Sequence, residues 1–275
     1  MSPLFGVFKL KRKVVSMEVL TFVNWLGTAP QWIKSCPEWL QNLLFQLYQT
    51  FIYKNRWHFF TDGLKITFIV TIGALIIGIV LGIIIAVIRT SHDSIVNKKP
   101  PFALRIANSL CKLYLTVIRG TPMMVQLLIM GFVIMVPKTN GGMIFCGILT
   151  LGINSGAYVA EIARSGLMSV NIGQTEAGRS LGFNYIQTMW YIVIPQAIKN
   201  ILPALGNEMI TLLKDTSLVS VIALRDVTKQ AQNIVSKTYL AFVPYISLAV
   251  IYLVIVIILT KLLGILERRL RKSDH

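Results

Sequence analysis

Few residues in this chain are equipped for chemistry, and most of them sit in oily surroundings. Asn154 and Ser155 lie inside a charge-free stretch, 139–160, while Asn207 and Glu208 follow Pro203 by about one helical turn. These four side chains combine hydrogen-bond donors with acceptors, which suits holding a polar solute rather than making or breaking bonds. The same groups could instead glue neighbouring helices together. Pro203 has no N–H and leaves the Lys199 carbonyl without its usual donor, a break that survives in a membrane beside a cavity, water or another helix. No nucleophile is paired with a base. The cysteines (Cys36, Cys111, Cys146) and histidines (His58, His92, His275) show no metal-ligand spacing, so a disulfide scaffold and a zinc site are both disfavoured. No G-x-x-x-x-G-K-[ST] occurs, so any ATP is expected on a partner rather than on this chain.

A second group of polar residues flanks the oily stretches. Arg119 and Gly120 precede Pro122, which can open a helix because a first-turn residue needs no N–H partner. Arg119 then either snorkels to the membrane surface or faces water or a partner. Glu161 and Arg164, three apart, are expected to pair across a helical turn. Lys214, Asp215, Thr216 and Ser217 close another stretch, as part of an outer gate, a docking surface, or a solvated loop whose hydroxyls cap the next helix.

The elements that must position these residues are membrane spans. Of 275 residues 55% are hydrophobic and only 14% charged, with a mean hydropathy of +0.67; a soluble chain carries about 25% charged residues. Residues 66–88, 139–160 and 239–260 carry no charge, and each is long enough to cross a bilayer. A shorter window, 120–137, is extended upstream by 113–118, and a fifth, 191–213, is interrupted only by Lys199 and Glu208. The fold expected is an all-α polytopic membrane protein with a five-helix core over residues 58–270. The net charge of +16 is not read as a nucleic-acid footprint. Arg89, Lys98, Lys99, Arg105 and Lys112 lie between two spans, and Arg268, Arg269, Arg271 and Lys272 form the tail, a placement that marks the cytoplasmic face. The first span then starts outside, 136–142 is a short outside turn, and 214–237 is outside despite four basic residues.

Residues 1–57 have another texture. Glu38 to Tyr53 places Leu40, Leu43, Leu44, Leu47, Tyr48, Phe51 and Ile52 on one helical stripe, suited to lying at the interface, and Trp39 and Trp57 at its ends fit an aromatic belt. Upstream, Lys9 to Lys13 is basic, and 14–33 carries only Glu18 as a charge. That segment is read as accessory or partly embedded; a sixth span, an uncleaved signal-like segment or a start at Met17 stay open, and Pro30 argues against cleavage.

Glu176 to Pro195 is a polar, glycine-punctuated insert between oily stretches. If 172–181 is a short helix, Ala177, Gly178, Leu181 and Gly182 form a face of little bulk, and Glu176 near its start offsets the helix dipole. Glu176, Ala177, Gly182, Ile192 and Pro195 stand at the spacing of the signature cytoplasmic loop of ABC-type importer membrane subunits, which this segment resembles; Gly178 and Ile194 depart from it conservatively. Arg119-Gly120-Thr121-Pro122 with Gln126, Ala157 to Gly166 running into Gly173 to Ala177, Ile194 to Ala197, and Leu213 to Leu218 resemble the polar amino acid branch of that family, of histidine, glutamine and arginine type. The likeness covers about 58–270; residues 1–57 lie outside it.

The resemblance implies a permease subunit and not an enzyme, placed as a multi-pass protein in the cell membrane. Two ABC ATPase subunits, holding ATP and Mg, would dock on a coupling loop at about 170–190 through Glu176, Ala177, Gly178, Leu181 and Gly182. A second permease subunit, identical or related, would complete the pore, and an extracytoplasmic solute-binding protein would deliver the amino acid. Such a substrate carries an ammonium and a carboxylate, so Asn154, Ser155, Asn207 and Glu208 are its candidate path. Arg119, Thr121, Pro122, Gln126, Glu161, Arg164, Pro203, Lys214, Thr216 and Ser217 are candidate gate or structural residues. The coupling loop and the tail, 271–275, would be cytoplasmic, with no cofactor on this chain and no nucleic-acid partner. The rival class, an ion-coupled carrier, would show internal repeats and intramembrane acids; no repeat is visible, and Glu208 stands alone.

Overall fold

The computed structural model describes residues 21–95 and 99–271. The basic run Lys9–Lys13, Glu18, Lys98 and the tail beyond Arg271 lie outside the described residues. Two compact units divide the chain, one of residues up to 65 with 225–253, the other of 66–224 with 254 onward.

In the larger unit the working elements are helices; no strand occurs among the described residues. Helix α2, Trp57–Asp93, brings its residues from 66 onward here. Helix α3, Phe102–Gly120, is followed by α4, Met123–Ile129, which continues as a wider turn over Met130–Ile134. Helices α5, Asn140–Met168, α6, Ile172–Ser180, and α7, Ile194–Asp215, complete the arrangement with the end of α9, Phe242–Arg271. Three helices, α2, α5 and α9, are long and apolar enough to cross a membrane unbroken.

The apolar stretch at 113–137 differs from its expected form. Between α3 and α4 the chain bends by 104°. Thr121 is extended (φ −118°, ψ 141°), and Pro122 serves as the residue before α4 rather than its first member. A proline pushes its predecessor out of the helical region, which ends α3 there. Pro203, by contrast, makes no break: α7 runs through it from Ile194 to Asp215.

Helices α2 and α5 meet along glycines. An added Cβ at Gly82 would fall 2.5 Å from Val159 Cγ1 and 2.9 Å from the Ala160 nitrogen, and one at Gly152 would fall 2.7 Å from Ile77 Cβ. Gly78 and Gly82 on one helix, with Gly152 and Gly156 on the other, repeat at spacing four, which lets backbones approach closely in a membrane. The apolar core beside this seam includes Val70, Ala74, Leu127, Cys146, Leu151 and Val219.

The smaller unit joins α1, Glu38–Leu47, to the start of α2, to α8, Val227–Thr238, and to the start of α9. Phe60, Val227, Ala231 and Ile234 form its core. The inward residues of α1 are Gln41 and Phe45 rather than the leucine stripe. Gln41 turns inward because its amide donates to the Lys34 and Cys36 carbonyls at 3.2 and 2.8 Å. Asp226 caps α8 by accepting from the Thr228 and Lys229 N–H groups, each at 3.0 Å. Burial pushes its carboxyl up to about 6 against the pull of those donors.

Candidate functional site

The polar residues of the larger unit gather at the α3–α4 bend. Gln126 reaches back one turn along α4, and its Nε2 donates to the Ile118 carbonyl at 2.8 Å, to Thr121 Oγ1 at 2.8 Å and to the Thr121 carbonyl at 3.2 Å. The last carbonyls of a helix lack intrahelical donors, so this amide fastens the end of α3 to the start of α4. Asn154 Nδ2 donates to Gln126 Oε1 at 3.0 Å, tying α5 to the bend. The Tyr114 hydroxyl donates to the Ile153 carbonyl on the same helix. Ser155 Oγ donates to Glu208 Oε1 at 2.7 Å and joins α5 to α7.

These groups border a cavity of about 510 Å³, lined by Arg119 to Met123, Asn154, Tyr158, Glu208, Thr211, Leu212 and Asp215. Its wall carries one guanidinium and two carboxylates, so donors and acceptors of both charges face one space. Asn154, Glu208, Arg119, Thr121 and Pro122 are thus brought together, with Ser155 and Gln126 holding their positions. Asn207 is exposed and does not line the cavity. Helical rotation explains this: a residue next to Glu208 points about 100° away. Tyr158, Thr211 and Asp215 complete the lining unforeseen as path residues; Thr211 and Asp215 stand three and seven after Glu208, on its helical face.

The ion pairs differ from the expected pairing of Glu161 with Arg164. Glu161 meets Arg89 at 3.0 Å and Arg119 at 3.7 Å, whereas Arg164 meets Asp93 at 3.1 Å. Partners on neighbouring helices outcompete the one-turn pair because α2 lies close against α5. Arg119 also sits 5.7 Å from the centre of the Tyr158 ring. Lys214 is exposed, and Thr216 is buried with its hydroxyl donating to the Leu213 carbonyl at 2.6 Å. Thr216 and Ser217 enter the turn Thr216–Ile222; the next helix is capped by Asp226 instead.

The insert at 170–190 is built from local signals. Asn171 accepts from the Gly173 N–H at 2.8 Å and starts α6. The helix ends where Gly182 adopts φ +86°. There Phe183 N–H donates to the Gly178 carbonyl at 3.1 Å and Gly182 N–H to the Arg179 carbonyl at 3.0 Å, the paired bonds of a left-handed glycine stop. Asn184 and Gln187 then bond reciprocally and open the turn Tyr185–Thr188. Glu176 lies in the second turn of α6, beyond the first-turn range of the dipole. Gly178 faces inward, where an added Cβ would stand 2.8 Å from Ile192 Cδ1 and 3.0 Å from Thr188 Cγ2. Glu176, Ala177, Leu181 and Gly182 remain exposed. With Ile172 (74%), Leu181 (76%) and Ile186 (75%) so open, the insert presents apolar surface around a polar helix. Behind it, Gln196 at the start of α7 donates to Gln174 at 3.3 Å, and Asn200 to Ser169 at 2.8 Å. The insert is therefore fastened to the helix that carries Glu208.

Residues 102–272 match the family described as binding-protein-dependent transport system inner membrane component. The chain is 38% identical to an arginine transport system permease protein of Bacillus subtilis over 78% of this chain and 94% of that one. It is 34% identical to a glutamine transport system permease protein of Escherichia coli K12, over 76% and 92%. Among solved structures, an amino acid ABC transporter with histidines superposes with a TM-score of 0.68 at 44% identity, over 77% of this chain and 94% of that one. The inward-facing MetNI methionine ABC transporter shares the fold at 17% identity and a TM-score of 0.59.

Proposed function

This chain belongs to the binding-protein-dependent transport system inner membrane components, and from that premise we infer that it is the permease subunit of an ATP-driven importer of polar amino acids. It is a membrane-spanning subunit and not an enzyme; hydrolysis belongs to separate ATPase subunits. The observation that carries the substrate reading is the cavity at the α3–α4 bend, where Arg119 faces a space shared with Glu208 and Asp215. A zwitterion needs a cation for its carboxylate and acceptors for its ammonium, and this wall supplies both.

In the reading we propose, two permease subunits, identical or related, enclose the path, and two ATPase subunits dock on the exposed residues Glu176, Ala177, Leu181 and Gly182 from the cytoplasm. A solute-binding protein delivers the amino acid from the opposite side. Closure of the ATPase pair pushes α6, and the Gln174–Gln196 and Ser169–Asn200 bonds pass the push to α7. Movement of α7 alters the Ser155–Glu208 contact at the cavity. ATP drives the cycle only so far as the docked ATPases stabilise one of the two states over the other.

Reconstitution in proteoliposomes with the ATPase subunits and the binding protein tests this directly. Labelled arginine, glutamine and histidine are offered, with and without ATP. Accumulation should require ATP, and Glu208→Gln should change apparent affinity or selectivity while assembly persists. Uptake by the permease alone without nucleotide would overturn the importer reading; unaltered transport of all three substrates by Glu208→Gln would remove Glu208 from the path.

A further inference from the structure

The smaller unit forms an open-mouthed cavity of about 780 Å³ that shares no lining residue with the proposed amino acid path. Part of its wall belongs to residues 21–56, upstream of the family match that begins at 102. Three cations line it, Lys54, Arg56 and Lys237, together with the rings of Trp25, Tyr48 and Tyr53. Arg56 is 8% exposed. Its Nη1 donates to the Gln49 carbonyl at 2.7 Å and to the Gln49 side chain at 3.2 Å, and its guanidinium lies 4.9 Å from the centre of the Tyr53 ring. Lys54 sits 5.5 Å from the Tyr53 ring and Lys237 sits 4.7 Å from Phe59. None of the three forms an ion pair among the described residues. Burying the Arg56 charge, with two further cations beside it and no carboxylate to offset it, is costly unless an anion completes the site.

The position of the cavity narrows the choice of anion. Its wall includes residues just before two membrane helices, Arg56 ahead of α2 at Trp57 and Tyr239–Leu240 ahead of α9 at Phe242. Two spans entering the bilayer there put the cavity at headgroup depth. Trp32, Trp39 and Trp57 are all exposed on the same unit, as aromatic anchors at a membrane interface are. A phosphate carries the complementary charge, and a guanidinium beside ammonium groups suits it.

We propose that this cavity binds the phosphate-bearing headgroup of an anionic phospholipid. The acyl chains would lie along the exposed apolar side chains at the start of α9, such as Ile246, Val250 and Leu253, and the lipid would hold residues 21–56 against the start of the first span. The site is separate from the amino acid path and does not depend on the reading of that path.

The test uses the full chain in nanodiscs of phosphatidylcholine containing a minor fraction of phosphatidylglycerol, released into detergent for native mass spectrometry. Wild-type protein should retain one phosphatidylglycerol in strong preference to phosphatidylcholine. Each basic residue near a membrane surface contributes about a fivefold preference, so Lys54→Gln with Lys237→Gln should weaken retention roughly 25-fold. Both lysines are exposed, so this double variant should insert normally, and Lys54→Arg with Lys237→Arg should keep the preference. Equal retention of the two lipids by wild-type protein would overturn the proposal, as would an unchanged preference in the double glutamine variant. Displacement of the lipid by millimolar inorganic phosphate would make this a free-anion site and sink the lipid assignment. Loss of binding-protein capture by the double variant, with lipid retention intact, would make it a protein-docking surface instead.

Discussion

Gly182 holds a φ of +86°, yet a side chain there would meet nothing within 4 Å. Its requirement is therefore conformational, and bulk at this position is a separate matter. Alanine in the left-handed region costs about 1 kcal/mol, enough to reduce the correctly stopped form of α6 by roughly fivefold. Gly182→Ala should lower ATP-driven uptake several-fold with membrane insertion unchanged, and Gly182→Asn should recover part of it because asparagine tolerates that region. Wild-type uptake by Gly182→Ala would show that the stop geometry is dispensable for coupling. Glu161 poses a different question, since it holds two arginines. The Arg89 side chain is 16% exposed and that of Glu161 36%, so Glu161→Ala should cost about 1–3 kcal/mol, below the cost of a fully buried pair. Arg164→Ala breaks a more open pair, 31% and 45% exposed, and should cost under about 1 kcal/mol. Thermal unfolding of the purified complex ranks the two; equal shifts would refute the difference in burial as their cause.

Helices in this chain are placed by small residues and by polar side chains that close their ends. The α2–α5 seam makes this testable. Gly82→Ala drives a Cβ into Val159 and into the Ala160 backbone, which cannot move aside as a side chain can, whereas Gly264→Ala meets nothing within 4 Å. Overpacking of this kind costs about 1–3 kcal/mol, so the thermal midpoint should fall for Gly82→Ala and hold for Gly264→Ala. Identical midpoints would mean that the helices are not held at this spacing. The seam was legible in principle, because Gly78/Gly82 and Gly152/Gly156 stand four apart in the sequence. The insert was legible too: Asn171, Gly182 and Asn184 are start and stop signals that act on their own neighbours. The pairing of Glu161 with Arg89 was not, because the two are 72 residues apart and only helix packing brings them together. The bend shows a mixed case. Pro122 announces an interruption, but the 104° angle depends on Gln126 reaching back to Ile118, which sequence spacing alone leaves undetermined. Asn207 does not line the cavity for a further reason of helical phase: one residue before Glu208, it is turned about 100° away from it, beyond the arc that Thr211, Asp215 and Glu208 cover.

At the scale of the whole molecule, the proposed cycle has the amino acid and the ATPase approach from opposite sides of the membrane. Lys138 precedes α5, Ser180 ends α6, the helix that follows it, and both are exposed. Since α5 is one of the three unbroken apolar crossings, those two positions lie on opposite faces of the bilayer if it spans. In the reading proposed above, the basic residues between the first two spans put the Ser180 side in the cytoplasm by the charge rule. Cysteine labelling measures this without disturbing the cavity. Cys111 and Cys146 are buried, so Cys36→Ser removes the more accessible native thiol. A membrane-impermeant maleimide should then label Lys138→Cys in intact cells and Ser180→Cys only in inverted vesicles. Adding the ATPase subunits to those vesicles should protect Ser180→Cys, because the docking surface at Leu181 and Gly182 would be covered, and should leave a cysteine at Arg268 reactive. Labelling of Ser180→Cys from the outside would reverse the orientation, and with it the route by which ATP could act on α7. Labelling from the inside without protection would keep the orientation but move the docking surface off α6.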